Sequence, residues 1–183
     1  MTTGFLSHDL GGGYNLALAD ASTAAAMHAL TIANLDRLRR WEPWAQSAPT
    51  EQDTADYIRS NLSAFTEGTV LPLIIRHGPD PIGSITVRVD PYLGTAELGY
   101  WISAEHEGRG AVTRAAQALV QHSFDDLRIA RVEIRTSTEN TRSRRLAERL
   151  GLDYEGTLRA AQPVGATRHD IAVYGLVRNT ASS

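Results

Sequence analysis

The feature that most constrains this chain is a change of hydrophobic period at Gly108-Arg109-Gly110. Upstream, Ile85, Val87 and Val89 alternate with Thr86 and Arg88. Leu98, Tyr100 and Ile102 then alternate with Glu97, Gly99 and Trp101. A period of two marks half-buried strands, whose successive side chains point to opposite faces. Downstream, Val112, Ala115, Ala116, Leu119, Val120 and Leu127 recur at spacings of three and four, which predicts a long amphipathic helix. A strand therefore passes into a helix through two glycines separated by one residue. Such glycines let the backbone curl tightly and aim successive N–H groups at one point, which the positive end of the helix reinforces. The junction is thus either an ordinary tight turn or a cradle for an anion. A P-loop does not fit, because Ala111, Val112 and Thr113 follow Gly110 where Lys and Ser/Thr are needed. A dinucleotide fingerprint does not fit either: the third glycine-like position is missing, and the motif lies late in the chain.

The rest of the chain supplies partners for this junction. Residues 14–19 read as a short strand and 22–40 as a helix, with Ser22 as N-cap and Pro43 bounding the far end. Thr50-Glu51-Gln52-Asp53 opens a second helix, along which Ile58, Leu62 and Phe65 follow at helical spacing until Gly68. Strands at 70–76 and 85–89 are joined by a Gly- and Pro-containing turn, and 96–102 is a further strand. Val132, Ile134 and Thr136 mark a fifth strand, and a shorter helix over 140–150 buries Leu146, Ala147 and Leu150 before Gly151. Strands at 154–161 and 169–177 complete the order. The expected fold is α/β (α+β): a central mixed, mostly antiparallel sheet of about seven strands flanked by helices, with no doubly wound alternation.

No repeat or long linker divides the 183 residues, so a single domain over 1–183 is expected, with Gly11-Gly12-Gly13 ending a flexible lead-in over 1–13. The chain has no cysteine, which removes disulfides, thiolate metal sites and a cysteine nucleophile, and no metal is expected. Eighteen basic and 21 acidic residues give a net charge of -3, so neither nucleic acid nor a membrane surface is an expected partner. No basic, apolar leader and no membrane-length apolar run is present, and a cytoplasmic protein is expected.

Glu97-Leu98-Gly99-Tyr100-Trp101-Ile102, the loop Glu105-His106-Glu107-Gly108-Arg109-Gly110, Glu139-Asn140 with Ser143, and Arg149-Leu150-Gly151-Leu152 together resemble the acetyl-CoA core of GNAT-superfamily N-acetyltransferases. Leu38-Arg39-Arg40-Trp41-Glu42-Pro43-Trp44, Glu155-Gly156-Thr157-Leu158-Arg159 and Arg168-His169-Asp170 with Tyr174 narrow the likeness to the RimJ/RimL-type ribosomal-protein N-terminal acetyltransferases. The resemblance covers nearly the whole chain. It implies that the fourth and fifth strands splay apart to admit the pantetheine arm of acetyl-CoA. It also implies that Ile102 at the end of the fourth strand, and the amides of Gly108, Arg109, Gly110 and Ala111, hold the cofactor, with Arg109 adding charge from outside. Asn140 would hydrogen-bond the pantetheine arm, although a helix N-cap is its other reading. Ser143, one turn on, would donate to the thiolate as it leaves; a plain helix residue is the alternative. Arg142, Arg144, Arg145 and Arg149 are either a solvated basic face or a source of contacts to the adenosine 3′-phosphate.

The resemblance leaves the general base open, because the family glutamate falls on Gln162, which cannot take a proton. Glu97 is the next candidate. Glu105, His106 and Glu107 are expected to face solvent, and His169 beside Asp170 reads equally well as structural. Trp41 and Trp44 flank Pro43 where the family builds its acceptor site, and with Gln162 they are candidates for substrate binding. Either tryptophan could instead pack against the core or a second copy in a homodimer. The expected reaction is direct acetyl transfer to a primary amine, most simply a protein or peptide N-terminal α-amine. A small-molecule amine (antibiotic or aminoacyl-nucleotide) detoxifying enzyme and a non-catalytic acyl-CoA-binding regulator are the alternatives.

Overall fold

The computed structural model of the chain describes residues 7–178. Eight strands form one sheet in the spatial order β1-β2-β3-β4-β5-β6-β8-β7. They are β1 (Ser7–Gly11), β2 (Tyr14–Leu18), β3 (Val70–His77), β4 (Asp80–Asp90), β5 (Thr95–Ile102), β6 (Arg131–Ser137), β7 (Asp153–Val164) and β8 (Thr167–Val177). Neighbours are antiparallel except β5 and β6, which run parallel. The helices are α1 (Ala24–Ala33), α2 (Leu35–Leu38), α3 (Glu51–Thr66), α4 (Ala111–Asp125) and α5 (Thr141–Arg149).

The helices cover both faces of the sheet. On one, α4 presents Ala111, Ala115, Ala116 and Leu119 to Ile75, Ile85, Val87, Leu98, Val132 and Ile134, all buried. Three alanines in the contact let the helix lie close to the sheet, and each large aliphatic side chain buried there contributes roughly 1.5–3 kcal/mol. On the other, Met27 of α1 and Ile58 of α3 pack on Ile74 of β3. The α3 start matches expectation: the Thr50 side chain accepts from Asp53 N, and the Asp53 carboxylate accepts from Thr50 N.

Three expectations of local structure are corrected. Of the supposed lead-in, residues 7–13 form β1 and a turn: Gly11, Gly12 and Gly13 all have positive φ and carry a hairpin into β2, adding an eighth strand, while residues 1–6 lie outside the described residues. Polar, exposed His8 and Asp9 hid that strand from a hydrophobic pattern. A 3-10 turn over Ala21–Thr23 precedes α1 and is capped by Asp20, whose carboxylate accepts from both Ser22 N and Ser22 Oγ, and α1 itself begins after Thr23, so Ser22 is not the N-cap. Nor is 22–40 one helix. It breaks at Asn34, whose side chain turns inward to donate to Leu30 O and accept from Ala104 N, tying this segment to the loop after β5.

At the far end of β4, Gly83 lies opposite Ile102. A Cβ there would overlap the Trp101 carbonyl oxygen and sit 2.8 Å from Ile102 Cα. No flexible side chain can yield at that contact, so the close pairing that holds the end of β5 requires glycine. Gly83→Ala should therefore destabilise the chain by about 2 kcal/mol or more, read as a lower urea midpoint at unchanged m-value.

Candidate active site

The parallel pairing of β5 and β6 covers only Thr95 with Arg131, Ala96 with Val132 and Glu97 with Glu133. Beyond that point β5 stays paired with β4 as far as Ile102, and β6 stays paired with β8 as far as Ser137. Each strand follows its outer neighbour, so a wedge opens between 98–102 and 134–137. Backbone groups on the inner edges of the wedge have no strand partner, which the free energy of an unmet hydrogen bond makes a site for an extended ligand.

At the mouth of the wedge lies the glycine loop. Gly108 and Gly110 have φ of 73° and 78°, and Gly110 is the N-cap of α4 without any side-chain cap. Among the described residues, no acceptor takes the N–H of residues 108–113. These amides converge at a helix N-terminus, an arrangement suited to a polyanion such as a pyrophosphate. Glu107 is not solvent-facing as expected. Its two carboxylate oxygens receive Arg37 of α2 and Arg142 of α5, bridging the two sides of the wedge mouth. His106 accepts or donates at Ser103 Oγ, and burial, with Arg109 and His77 nearby, lowers its pKa, so it adds no charge at neutral pH. Arg109 is exposed; its carbonyl oxygen accepts from Arg114 Nη1.

Along the wedge wall, α5 begins at Asn140, whose Oδ1 accepts from Ser143 N at 3.2 Å. Asn140 is thus an N-cap, and its amide Nδ2 makes no hydrogen bond to another described residue, so it stays available to a ligand. Ser143 Oγ lies 2.7 Å from the Tyr100 hydroxyl of β5, so one hydrogen bond crosses the wedge. Burial raises the Tyr100 pKa to about 12, outweighing the opposing effects of Ser143 and Arg149. The phenol therefore stays protonated. Of the arginines on α5, Arg142 is taken by Glu107 and Arg144 by Tyr174 Oη and Thr138 O.

Two cavities meet beside this pair. A smaller one of about 330 Å³ fills the wedge and is lined by Trp41, Glu97, Asn140, Ser143 and Gln162 among others. A larger one of about 510 Å³ lies between α1, α3 and the sheet, and contains Met27, Trp44, Tyr57 and Trp101 in its wall. They share Glu42, Arg88, Gly99 and Tyr100. The two tryptophans thus serve different cavities. Gln162 Nε2 donates to the Trp41 carbonyl at 2.9 Å, and the Trp41 ring stands edge-on to His169. Trp44 Nε1 donates to Glu42 Oε2 at 2.9 Å.

The structure therefore brings Glu97, Ser143, Asn140, Trp41 and Gln162 to one cavity; Ile102, Gly108, Arg109, Gly110 and Ala111 do not line it and follow where β5 ends and the wedge is open. His169 and Asp170 divide: Asp170 Oδ1 accepts from Ala160 N, and Arg168 donates to Ala160 O, clasping a β7 bulge at which Ala160 has φ 49°. That part of the motif is structural. Sequence reasoning missed Tyr100 and Glu42. Alternation places Tyr100 only on one strand face with Leu98 and Ile102, and Glu42 is assigned no role; its position between Trp41 and Pro43 is the one signal in the sequence for a shielded carboxylate.

Comparison with known proteins agrees with this geometry. Residues 15–153 match the model of the Acetyltransferase (GNAT) domain family. The chain is 30% identical over 173 residues to YdaF of Bacillus subtilis (strain 168), covering 88% of this chain and 89% of that protein. It is 28% identical over 152 residues to the ribosomal-protein-serine acetyltransferase of Escherichia coli (strain K12), covering 82% and 85%. Its fold matches a RimL ribosomal L7/L12 alpha-N-protein acetyltransferase solved in complex with coenzyme A (TM-score 0.89, 24% identity, 92% of this chain and 96% of that one). It also matches the microcin C7 self-immunity acetyltransferase MccE solved with acetyl-CoA and AMP (TM-score 0.87, 23% identity, 92% and 94%). The chain belongs to the GNAT acetyltransferase family and is an acetyl-CoA-dependent N-acetyltransferase.

Proposed function

We propose that the chain transfers the acetyl group of acetyl-CoA to the N-terminal α-amine of a protein, with a ribosomal protein as the acceptor class that its relatives' names suggest. The observation that carries this reading is the set of unpaired amides at 108–113 leading into a wedge walled by Asn140, Ser143 and Tyr100. Acetyl-CoA supplies the activated thioester. The amides of Gly108, Arg109, Gly110 and Ala111 would hold its pyrophosphate, the edge of β5 down to Ile102 would pair with its pantetheine arm, and Asn140 Nδ2 would donate to the same arm. Tyr100, protonated throughout the neutral range, has a proton to donate to Ser143 Oγ, an arrangement that would leave the serine proton for the sulfur. Such a bond strengthens as thiolate charge develops, so it acts on the transition state. A peptide acceptor would enter through the larger cavity, which shares Glu42, Arg88, Gly99 and Tyr100 with the wedge. A ribosomal acceptor would place the enzyme in the cytoplasm.

The small-amine reading has less behind it, because the MccE likeness, at 23% identity, speaks for the fold alone. The regulator reading rests on the glutamine at 162, and the hydroxyl pair at the wedge wall argues against it. Acetyl-CoA turnover against matched panels of N-terminal peptides and small amines tests the assignment.

Three outcomes follow. Gly110→Asp places a Cβ at φ 78° and a negative charge among the amides, and should abolish acetyl-CoA binding by calorimetry. Ser143→Ala should lower kcat by roughly 10- to 100-fold, about 1.4–2.7 kcal/mol, with the affinity for acetyl-CoA nearly intact. A peptide α-amine with a pKa of about 7.7–8.0 is roughly a tenth neutral at pH 7, whereas a lysine near about 10.4 is almost wholly protonated. Free N-termini should therefore react faster than N-blocked peptides carrying one lysine, measured on matched sequences at one pH.

A further inference from the structure

A neutral amine must reach the thioester, and the N-terminus of a protein arrives mostly as ammonium at neutral pH. A group in the acceptor path that takes that proton would raise the reactive fraction above the roughly one tenth that is neutral at pH 7. Gln162 cannot, and its amide is committed to the Trp41 carbonyl. Asp53 in the larger cavity is turned to Thr50, whose N–H and hydroxyl it accepts. Glu133 is engaged by Arg131 and Arg135. Glu97 lines the smaller cavity only, next to the closed apex where β5 and β6 still pair.

Glu42 is placed differently. It belongs to the wall common to both cavities, so it stands where an acceptor from the larger would meet the wedge. Its backbone is held from both sides: its N–H donates to Leu38 O at 2.8 Å, and its carbonyl accepts from Ala45 N and from Gln46 Nε2. Gln162 pins the preceding residue. Trp44 Nε1 fixes one carboxylate oxygen, and the other has no hydrogen-bond partner among the described residues. We propose that Glu42 is the carboxylate that takes the proton from the acceptor's α-ammonium, with Trp44 as its positioning residue. This rests on the acetyl-transfer reading above.

The step balances as follows. One N–H bond of the ammonium breaks and its proton passes to a Glu42 oxygen and then to solvent. The freed lone pair forms the C–N bond with the acetyl carbon of acetyl-CoA, the C–S bond breaks, and its electron pair leaves on sulfur. The nitrogen then sheds a second proton, and sulfur gains one through the Ser143 hydroxyl. The charged and titratable groups that face Glu42 are Arg88 of β4, Glu97 and Tyr100 of β5, and Arg135 of β6. Asp53 and Tyr57 of α3 face it across the larger cavity. Among the influences on the carboxyl, burial is the largest and raises its pKa, while the Trp44 hydrogen bond and the Arg88 charge oppose it. Its proton affinity therefore moves toward that of the amine, which suits a base working near neutrality.

The test combines kinetics with a signal from the protein alone. With an N-terminal peptide, Glu42→Gln should lose about 100-fold in kcat at pH 7, with acetyl-CoA affinity by calorimetry unchanged, and the gap should narrow as pH rises through the amine's own pKa. The wild-type acid limb of kcat, the fall in rate as Glu42 becomes protonated, should be absent from that variant. Trp44→Phe removes a hydrogen bond that favours the carboxylate, so the limb should move to higher pH. Without acetyl-CoA, the fluorescence of the Trp44 indole should titrate above the usual carboxylate range in wild type and not in Glu42→Gln. A Glu42→Gln enzyme with wild-type kcat and acid limb would overturn the proposal, as would an unmoved limb in Trp44→Phe. So would the same loss appearing in Glu97→Gln instead. Wild-type inactivity toward every α-amine would remove the acetyl-transfer reading and this one with it, whereas an active wild type beside an unaffected Glu42→Gln removes this one alone.

Discussion

The separation of two parallel strands governs this structure. β5 and β6 pair for three residues each and then part, because β5 is held to β4 and β6 to β8 for their full lengths. A sheet that forgoes main-chain hydrogen bonds at its centre leaves polar backbone in a cleft, and this cost is offset when a ligand supplies the missing partners. The rest of the site is arranged around that opening. Gly83 keeps β4 close to the end of β5, the glycine loop turns the chain at the mouth, and α5 brings Asn140 and Ser143 to the far wall.

Across the opening, two kinds of contact fix the gap. The Tyr100–Ser143 hydrogen bond ties β5 to α5 deep in the wedge, and Glu107 ties α2 to α5 at its mouth through Arg37 and Arg142. The first sits in a buried setting that strengthens it and keeps the phenol protonated. The second is partly exposed and is weakened by salt.

The segment after α2 shapes the wall between the two cavities. Pro43 opens a short 3-10 turn that sends Trp41 and Trp44 to different cavities and leaves Glu42 between them. Arg168 and Asp170 clasp the β7 bulge, from which Gln162 reaches the Trp41 carbonyl. A motif that read equally well as catalytic or structural thus holds the strand whose Gln162 pins Trp41.

Local rules of the sequence determined a good deal of this. The alternation over 70–102, the helical spacing after Gly110, the Thr50 cap and the glycine loop all depend on neighbours within a few residues, and each is found where the residues predict it. Asn140 as a helix N-cap was legible for the same reason, with Ser143 one turn on. The hairpin at 7–18 was not, because its exposed polar strand takes its stability from pairing with β2 rather than from its own pattern. Nor was the role of Asn34, whose side chain answers an amide seventy residues away. The roles of Tyr100 and Glu42 were not legible either, since sequence shows what a side chain is but not what surrounds it. Only the tertiary structure placed the tyrosine against Ser143 and the glutamate between two cavities, where burial sets the proton affinity of each.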